Sequence, residues 1–297
     1  MRRLDVRRWL AIVNPGAGLP DAAMRCAEAL ERDGIVIGSV VSRGPGDASR
    51  IANEAKDVDG IVAVGGDGTV FEILAGLDRT AHMLAVCPVG HGNCLARDLG
   101  VASLSRARLA LLHGAARPID LMDVRLRDAT GSDVRHLGAC TLAVGYVTEA
   151  MTTGRFRLAW LGRAAYAVSS VVTVPRRLRA TLTLDGNGVD VPDCTGLAVN
   201  NTAHLANFRA FPSARLDDAR LDIMGSATGW VGQMAHNACI LMGSSLVQAA
   251  VTAQTTSAAI ELETPSTVML DGELFREIVS VAVTVAPGVL RCVGAAA

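Results

Sequence analysis

The chain is 297 residues long, enough for one large domain or two ordinary ones with a substantial core. Its net charge of -1 offers no bulk attraction to nucleic acid. Although 50% of residues are apolar, no run of about 18 lacks a polar interruption, which argues against a membrane-spanning helix.

The basic start, Met1 to Arg8, leads into a strand at Trp9-Leu10-Ala11-Ile12-Val13 and so does not read as a signal peptide. That strand ends in Asn14-Pro15-Gly16-Ala17-Gly18, and Asp21 to Arg32 reads as a helix. Gly34 to Val41 is the next strand, followed by a loop from Ser42 and a helix from Asp47 to Ala55. A third strand, Gly60 to Val64, meets the turn Gly65-Gly66-Asp67-Gly68-Thr69, and a helix runs from Val70 to Leu77. Three glycines in four positions let backbone N–H groups approach an anion, and the following helix adds its positive dipole end. Asp67 would repel a phosphate unless a divalent cation bridged the two, so its carboxylate argues for a metal-nucleotide complex or for orienting the groups that hold one. The fourth strand, Met83 to Cys87, closes in Pro88-Val89-Gly90-His91-Gly92-Asn93 before a helix from Cys94 to Leu99. His91 either donates to a phosphate or caps that turn. Strands alternating with helices give a parallel sheet, and Asn14, Ser42, Gly65 to Thr69 and Gly90 to Asn93 fall at the carboxyl ends of its strands, where ligands of such sheets gather.

Ala102 to Leu112 reads as a further helix, and after about residue 122 the pattern changes to strands at shorter spacing. They are Val124 to Arg127, His136 to Val144, Ala180 to Leu184, Gly196 to Asn200, Leu221 to Met224, Ala259 to Glu263, Val268 to Leu270 and Ile278 to Val285. The expected architecture is therefore an N-terminal α/β nucleotide-binding domain over residues 1–122 and a C-terminal antiparallel β-sandwich domain over 123–297. The active site is expected in the cleft between them, with the last few residues free to pack back on the first domain. Two helical stretches interrupt the strands. Phe156 to Val174 is apolar and followed by Arg176, Arg177 and Arg179, which suits a core helix with a basic end, contact with an anionic membrane, or the wall of a lipid pocket; Trp230 to Val251 reads as core. Asp271-Gly272-Glu273 reads on its own as a turn between strands.

Two features of composition narrow the chemistry. Seven scattered cysteines without a C-x-x-C pair suit a reduced, cytoplasmic protein. Lys56, the sole lysine, lies in a surface-helix run, so a Walker-A loop, a protein-kinase strand lysine and a Schiff-base enzyme each lack their defining residue. Phosphate charge is left to backbone amides, metal and arginine.

Taken together, Asn14 to Gly18, Gly65 to Thr69 with Glu72, Pro88 to Asn93, Pro118-Ile119-Asp120 and Asp271-Gly272-Glu273 resemble the diacylglycerol kinase catalytic family, in its bacterial lipid kinase branch with sphingosine kinase relatives. The resemblance implies an ATP-dependent lipid kinase that transfers the γ-phosphoryl group of Mg·ATP to a lipid hydroxyl at the inner face of a membrane. Asn14, Pro15, Ser42, Gly65 to Thr69, Gly90, His91 and Asn93 would contact ATP, with Asp67 organising the metal-nucleotide site. Asp271 and Glu273 would form the catalytic pair, either one taking the proton from the hydroxyl. It further implies a structural Mg²⁺ held by Asp218 and the carbonyls of Arg215 and Arg220.

Three departures stand out. His91 replaces the usual threonine; Asn200 to Asn207 lacks the family's paired glycines; and Ala219 replaces the glycine of the metal loop, where a positive φ is disfavoured. Two rival readings follow: an NAD kinase-like phosphotransferase, which resembles the same Gly-Gly-Asp-Gly-Thr turn, and a nucleotide- or lipid-binding module without turnover.

Overall fold

The computed structural model describes residues 8–18, 21–158, 160, 161, 165–191, 194–205, 208–226, 229–241, 249 and 251–295. The first seven residues, parts of the two helical stretches and Ala206-Asn207 lie outside these. The chain divides into two compact units, one running to Leu121 and taking up Pro287 onward, the other Met122–Ala286.

The first unit is built on β1 (Trp9–Val13), α1 (Ala22–Arg32), β2 (Gly38–Val41), α2 (Asp47–Glu54), β3 (Gly60–Gly65), α3 (Asp67–Gly76), β4 (Met83–Pro88), α4 (Cys94–Asp98) and α5 (Leu104–His113). Its strands lie parallel in the order β2-β1-β3-β4. β3 is buried at every position, the continuous apolar run expected of a strand covered on both faces. α1 buries Ala23, Cys26, Ala27 and Leu30, one stripe at helical spacing.

The second unit holds β6 (Asp133–Gly138), β7 (Thr141–Gly145), α6 (Tyr146–Phe156), α7 (Ala165–Val172), β8 (Ala180–Leu184), β9 (Asn187–Val189), β10 (Gly196–Asn200), β11 (Leu221–Gly225), α8 (Gly229–Leu241), β12 (Val251–Thr255) and β13 (Ser257–Leu270). β5 (Ala115–Asp128) and β14 (Glu273–Gly294) carry the chain through the boundary between the units. The antiparallel order is β12-β11-β10-β7-β13-β14; β8 pairs the first half of β13, and β5 pairs β6. Cys292, near the end of β14, pairs in parallel with Leu84 of β4 inside the first unit.

Several boundaries differ from expectation for local reasons. β13 is one strand where two were expected, and its register with β14 shifts beside Pro265, which has no N–H to donate to the ladder. His136 to Val144 is broken into β6 and β7, because Ala139 and Cys140 give their N–H groups to the Asp271 carboxylate rather than to a neighbouring strand. α3 begins at Asp67, three residues earlier than the apolar periodicity indicates, with Gly66 as its N-cap.

Candidate active site

The expected nucleotide residues of the first unit meet at the ends of its strands. Asn14, just past β1, donates its side-chain amide to Thr69 Oγ1 at 3.0 Å, and its Oδ1 accepts from Gly16 N at 3.0 Å. Its backbone N–H bonds to Val64 O at 3.0 Å, so the Asn14 turn is fastened directly to β3. Gly18 lies against the next turn, and a Cβ there would sit 1.7 Å from Val89 O. Gly66 and Gly90 face each other: a Cβ on Gly90 would meet Gly66 Cα at 2.7 Å and Asn93 Oδ1 at 3.0 Å. Asn93, at φ 54°, closes its own turn by donating to Gly90 O at 2.6 Å, while its Oδ1 is buried with no partner among the described residues. Such an orphaned acceptor beside a cradle of bare backbone is a place for a ligand's hydroxyl or amine.

Ser42 is nearly buried and donates its hydroxyl to Val13 O at 3.2 Å; Pro15 and His91 are exposed. Asp67 is held by backbone amides. It is the first residue of α3, and its two oxygens accept from Cys94 N at 3.0 Å and Leu95 N at 3.3 Å, at the start of α4. The carboxylate therefore ties the two helix starts together. Sequence reasoning did not single out Arg97, whose guanidinium donates to Gly92 O at 3.1 Å and braces the His91 turn. Glu72 accepts from Gly46 N, linking α3 to the turn before α2.

In the second unit Asp271 and Gly272 are the two central residues of the β13–β14 hairpin, with φ of 50° and 93° and Leu270 opposite Glu273. Aspartate and glycine are the residues that such a turn prefers. The Asp271 side chain then does more than turn the chain. Only 3% of the residue is exposed, and its carboxylate accepts from Ala139 N at 2.5 Å, Cys140 N at 2.9 Å and Thr141 N at 2.8 Å. Asp271 N also donates to Thr141 O at 2.9 Å. Glu273, two residues on, begins β14 half-buried.

Ala219 stands at the turn of the expected metal loop. That residue adopts φ 57°, the left-handed conformation that was expected to be resisted, and Asp218 accepts from Arg220 N at 3.1 Å. Arg215 is paired with Asp217 at 3.5 Å. Among the described residues no three His, Cys, Asp or Glu side chains converge as a metal cluster, so a cation there would rest on Asp218, carbonyls and water. Beyond the loop lies a buried polar row that sequence reasoning missed. Thr141, Asn200 and Asp222 stand opposite one another on β7, β10 and β11. Burial pushes the Asp222 carboxyl up, opposed by hydrogen bonds from Ser213 and Gln254. Each of these strands carries one polar residue in an otherwise apolar or glycine run, so no alternation marked the row.

A sequence profile of the diacylglycerol kinase catalytic domain matches residues 8–124. A probable YegS-like lipid kinase of Stenotrophomonas maltophilia is 30% identical over 285 residues, covering 90% of this chain and 89% of that protein. This chain belongs to that family. Membership makes it a kinase, of a family of lipid kinases, as the ordered glycine turns indicate. A diacylglycerol kinase of Mycobacterium tuberculosis is 28% identical over 236 residues, 75% of this chain and 74% of that one. Among solved structures, a diacylglycerol kinase from Bacillus anthracis str. Sterne superposes with a TM-score of 0.75 over 99% of this chain and 98% of that chain. At 23% identity this likeness speaks for the fold alone.

Proposed function

We propose that the protein transfers the γ-phosphoryl group of ATP to the hydroxyl of a lipid, of the diacylglycerol or a related class. The observation that carries the reading is the cradle in which Gly66 and Gly90 lie too close to admit a side chain beside the partnerless Asn93 Oδ1. Bare backbone at the start of α3 suits phosphate oxygens, and the Asn93 oxygen suits a ribose hydroxyl. Asn14 holds Thr69 in place at the edge of that cradle, and Asp67 holds the start of α4 against it. Mg²⁺ bound with the nucleotide would neutralise the charge that develops on the transferred group.

Of the two carboxylates, we assign the proton of the lipid hydroxyl to Glu273. Asp271 has three backbone N–H groups on its roughly four lone-pair sites and is almost wholly buried, so its carboxylate is mainly committed to the fold. Its role in this reading is to position: it fixes the turn from which Glu273 projects. The substrate is carried in a bilayer, so the enzyme works at an anionic membrane surface, on the cytoplasmic side, without crossing it. Among the described residues no helix is long and apolar enough to cross.

The test is incubation with Mg²⁺, γ-labelled ATP and a total bacterial lipid extract, beside a Glu273→Gln variant. A labelled lipid formed by the wild type and lost in the variant is the expected result. Formation of labelled NADP from NAD, with no labelled lipid, would overturn the reading in favour of an NAD kinase-like transfer. ATP binding without transfer to either acceptor would leave a binding module.

A further inference from the structure

α7 and α8 are built inside out. A helix at the surface of a globular protein turns its apolar stripe to the core and its polar residues to water. On α7 the reverse holds. Ser169 is 1% exposed and Thr173, just past its end, 8%, while Val168, Val171 and Val172, at spacings of three and four, are 36%, 53% and 55% exposed. α8 repeats the inversion. Gln233 and Asn237 are buried, whereas Val231 is 76% exposed and Ala235 and Ala238, which continue its stripe, are also exposed.

Thr173 Oγ1 is buried with no partner among the described residues, but the polar groups of α8 are satisfied. Thr195 donates to Gln233 at 2.6 Å, Gln233 to Asn237 at 3.0 Å, and Asn237 to both Tyr146 Oη and Ser170 O at 2.7 Å. Tyr146 in turn donates to Ser170 O. This network locks α6, α7 and α8 together and commits both helices to presenting their apolar stripes outward. Trp160 and Val174, on either side of α7, are 79% and 65% exposed and extend the same character.

The charge pattern says what medium this face meets. Between Glu149 and Asp185 the chain has six arginines and no acidic residue, and between Asp222 and Glu261 it has no Asp, Glu, Lys or Arg at all. Arg176 and Arg177, separated from Val174 by Pro175, are exposed. Exposed apolar side chains followed in sequence by Arg176 and Arg177 complement an anionic lipid surface, whereas Arg179 is paired with Glu263 at 3.6 Å. At 8 and 13 residues the helices are far shorter than the roughly 20 needed to span a bilayer, so they would lie in its plane.

We infer that the outward stripes of α7 and α8 form a docking face for anionic membrane, with Trp160 and the valines entering the headgroup boundary and Arg176 and Arg177 on the lipid phosphates. The inference adds to the lipid kinase reading the surface by which the enzyme would reach its substrate; the inverted helices stand independently of that reading.

The experiment is flotation of the full chain with vesicles of mixed phosphatidylglycerol and phosphatidylcholine, and with phosphatidylcholine alone, in the absence of ATP. Failure of phosphoryl transfer thus leaves this measurement intact, and the reverse also holds. The wild type is expected to float with the anionic vesicles. Val171→Asp with Val172→Asp should lower partitioning by at least about tenfold, and Arg176→Glu with Arg177→Glu by on the order of tenfold. Leu109→Asp, equally exposed on α5 of the first unit, should change nothing. All variants are checked for native far-UV circular dichroism, and the arginine pair tests the face without touching the helix. Blue-shifted Trp160 emission on vesicle addition, absent in Trp160→Phe, supports insertion. The inference is overturned if the wild type stays with the soluble fraction, if both double variants float as it does, or if light scattering shows a dimer that the valine variant dissolves while vesicles bind nothing.

Discussion

Replacing Asp271 with Asn separates a positioning carboxylate from a catalytic one. Asparagine tolerates the positive φ of the turn, so the hairpin conformation is kept and the acceptor is what changes. The carboxylate now serves three N–H groups whose residues are 0%, 2% and 3% exposed. The amide has one oxygen, which can keep two of them as weaker neutral bonds, and its NH₂ is turned toward the third donor. One buried donor left unmet costs about 1–3 kcal/mol, and weakening the others adds about 1 kcal/mol, so about 3 kcal/mol of local stability should be lost. Hydrogen exchange reads that loss directly: the amides of Ala139, Cys140 and Thr141 should exchange about a hundredfold faster than in the wild type. Glu273→Gln should leave those amides unchanged and lower turnover by about 10²–10⁴-fold. Unchanged exchange in Asp271→Asn together with abolished turnover would refute the reasoning and make Asp271 the group that meets the substrate.

Gly90→Ala puts a methyl 2.7 Å from Gly66 Cα, backbone that cannot yield; nucleotide affinity measured by calorimetry should fall at least about tenfold while circular dichroism stays native. Asp185, in the β8–β9 turn, is held at about 2, mainly by the Thr256 hydroxyl, well under the ordinary 3.8. A carboxyl lowered in the folded state stabilises above its unfolded value and ceases to do so as pH falls through about 2. The difference in melting temperature between the wild type and Asp185→Asn should therefore be present at about pH 6 and vanish toward pH 2. Cys26, Cys87, Cys94, Cys140, Cys194 and Cys292 are buried thiols, with desolvation pushing Cys292 up to about 12. An aromatic disulfide reagent should leave all six unmodified in the native protein and reach them in denaturant; rapid native labelling of any of them, located by peptide mapping, would contradict their burial.

The glycine turns after β1, β3 and β4 were legible because each is a local event, an apolar run followed at once by glycine and then helical spacing. What distant residues decide was not. Nothing near Asp271 says that Ala139, Cys140 and Thr141 will donate to it, and so its reading as a base was open to revision. The onset of α3 at Asp67 was hidden because its first turn, Asp-Gly-Thr, lacks the apolar periodicity that marks a helix. Valines at three and four spacing on α7 mark a stripe without saying whether it faces core or lipid. Buried Gln233 and Asn237 supply the sign, and only the fold reveals their burial.

The pairing of Cys292 with Leu84 also bears on how the protein comes to exist in a cell. Until β14 arrives, β4 is an open edge whose residues, Leu84 to Cys87, end up fully enclosed. A ribosome must carry the chain past Cys292 before that edge can close, so the first unit waits, incomplete, through the synthesis of everything between. An exposed apolar edge of this kind is a template for aggregation and an invitation to chaperones. A sheet begun early in synthesis is thus among the last parts to be finished, and a nascent chain cut short within β14 would leave that edge open.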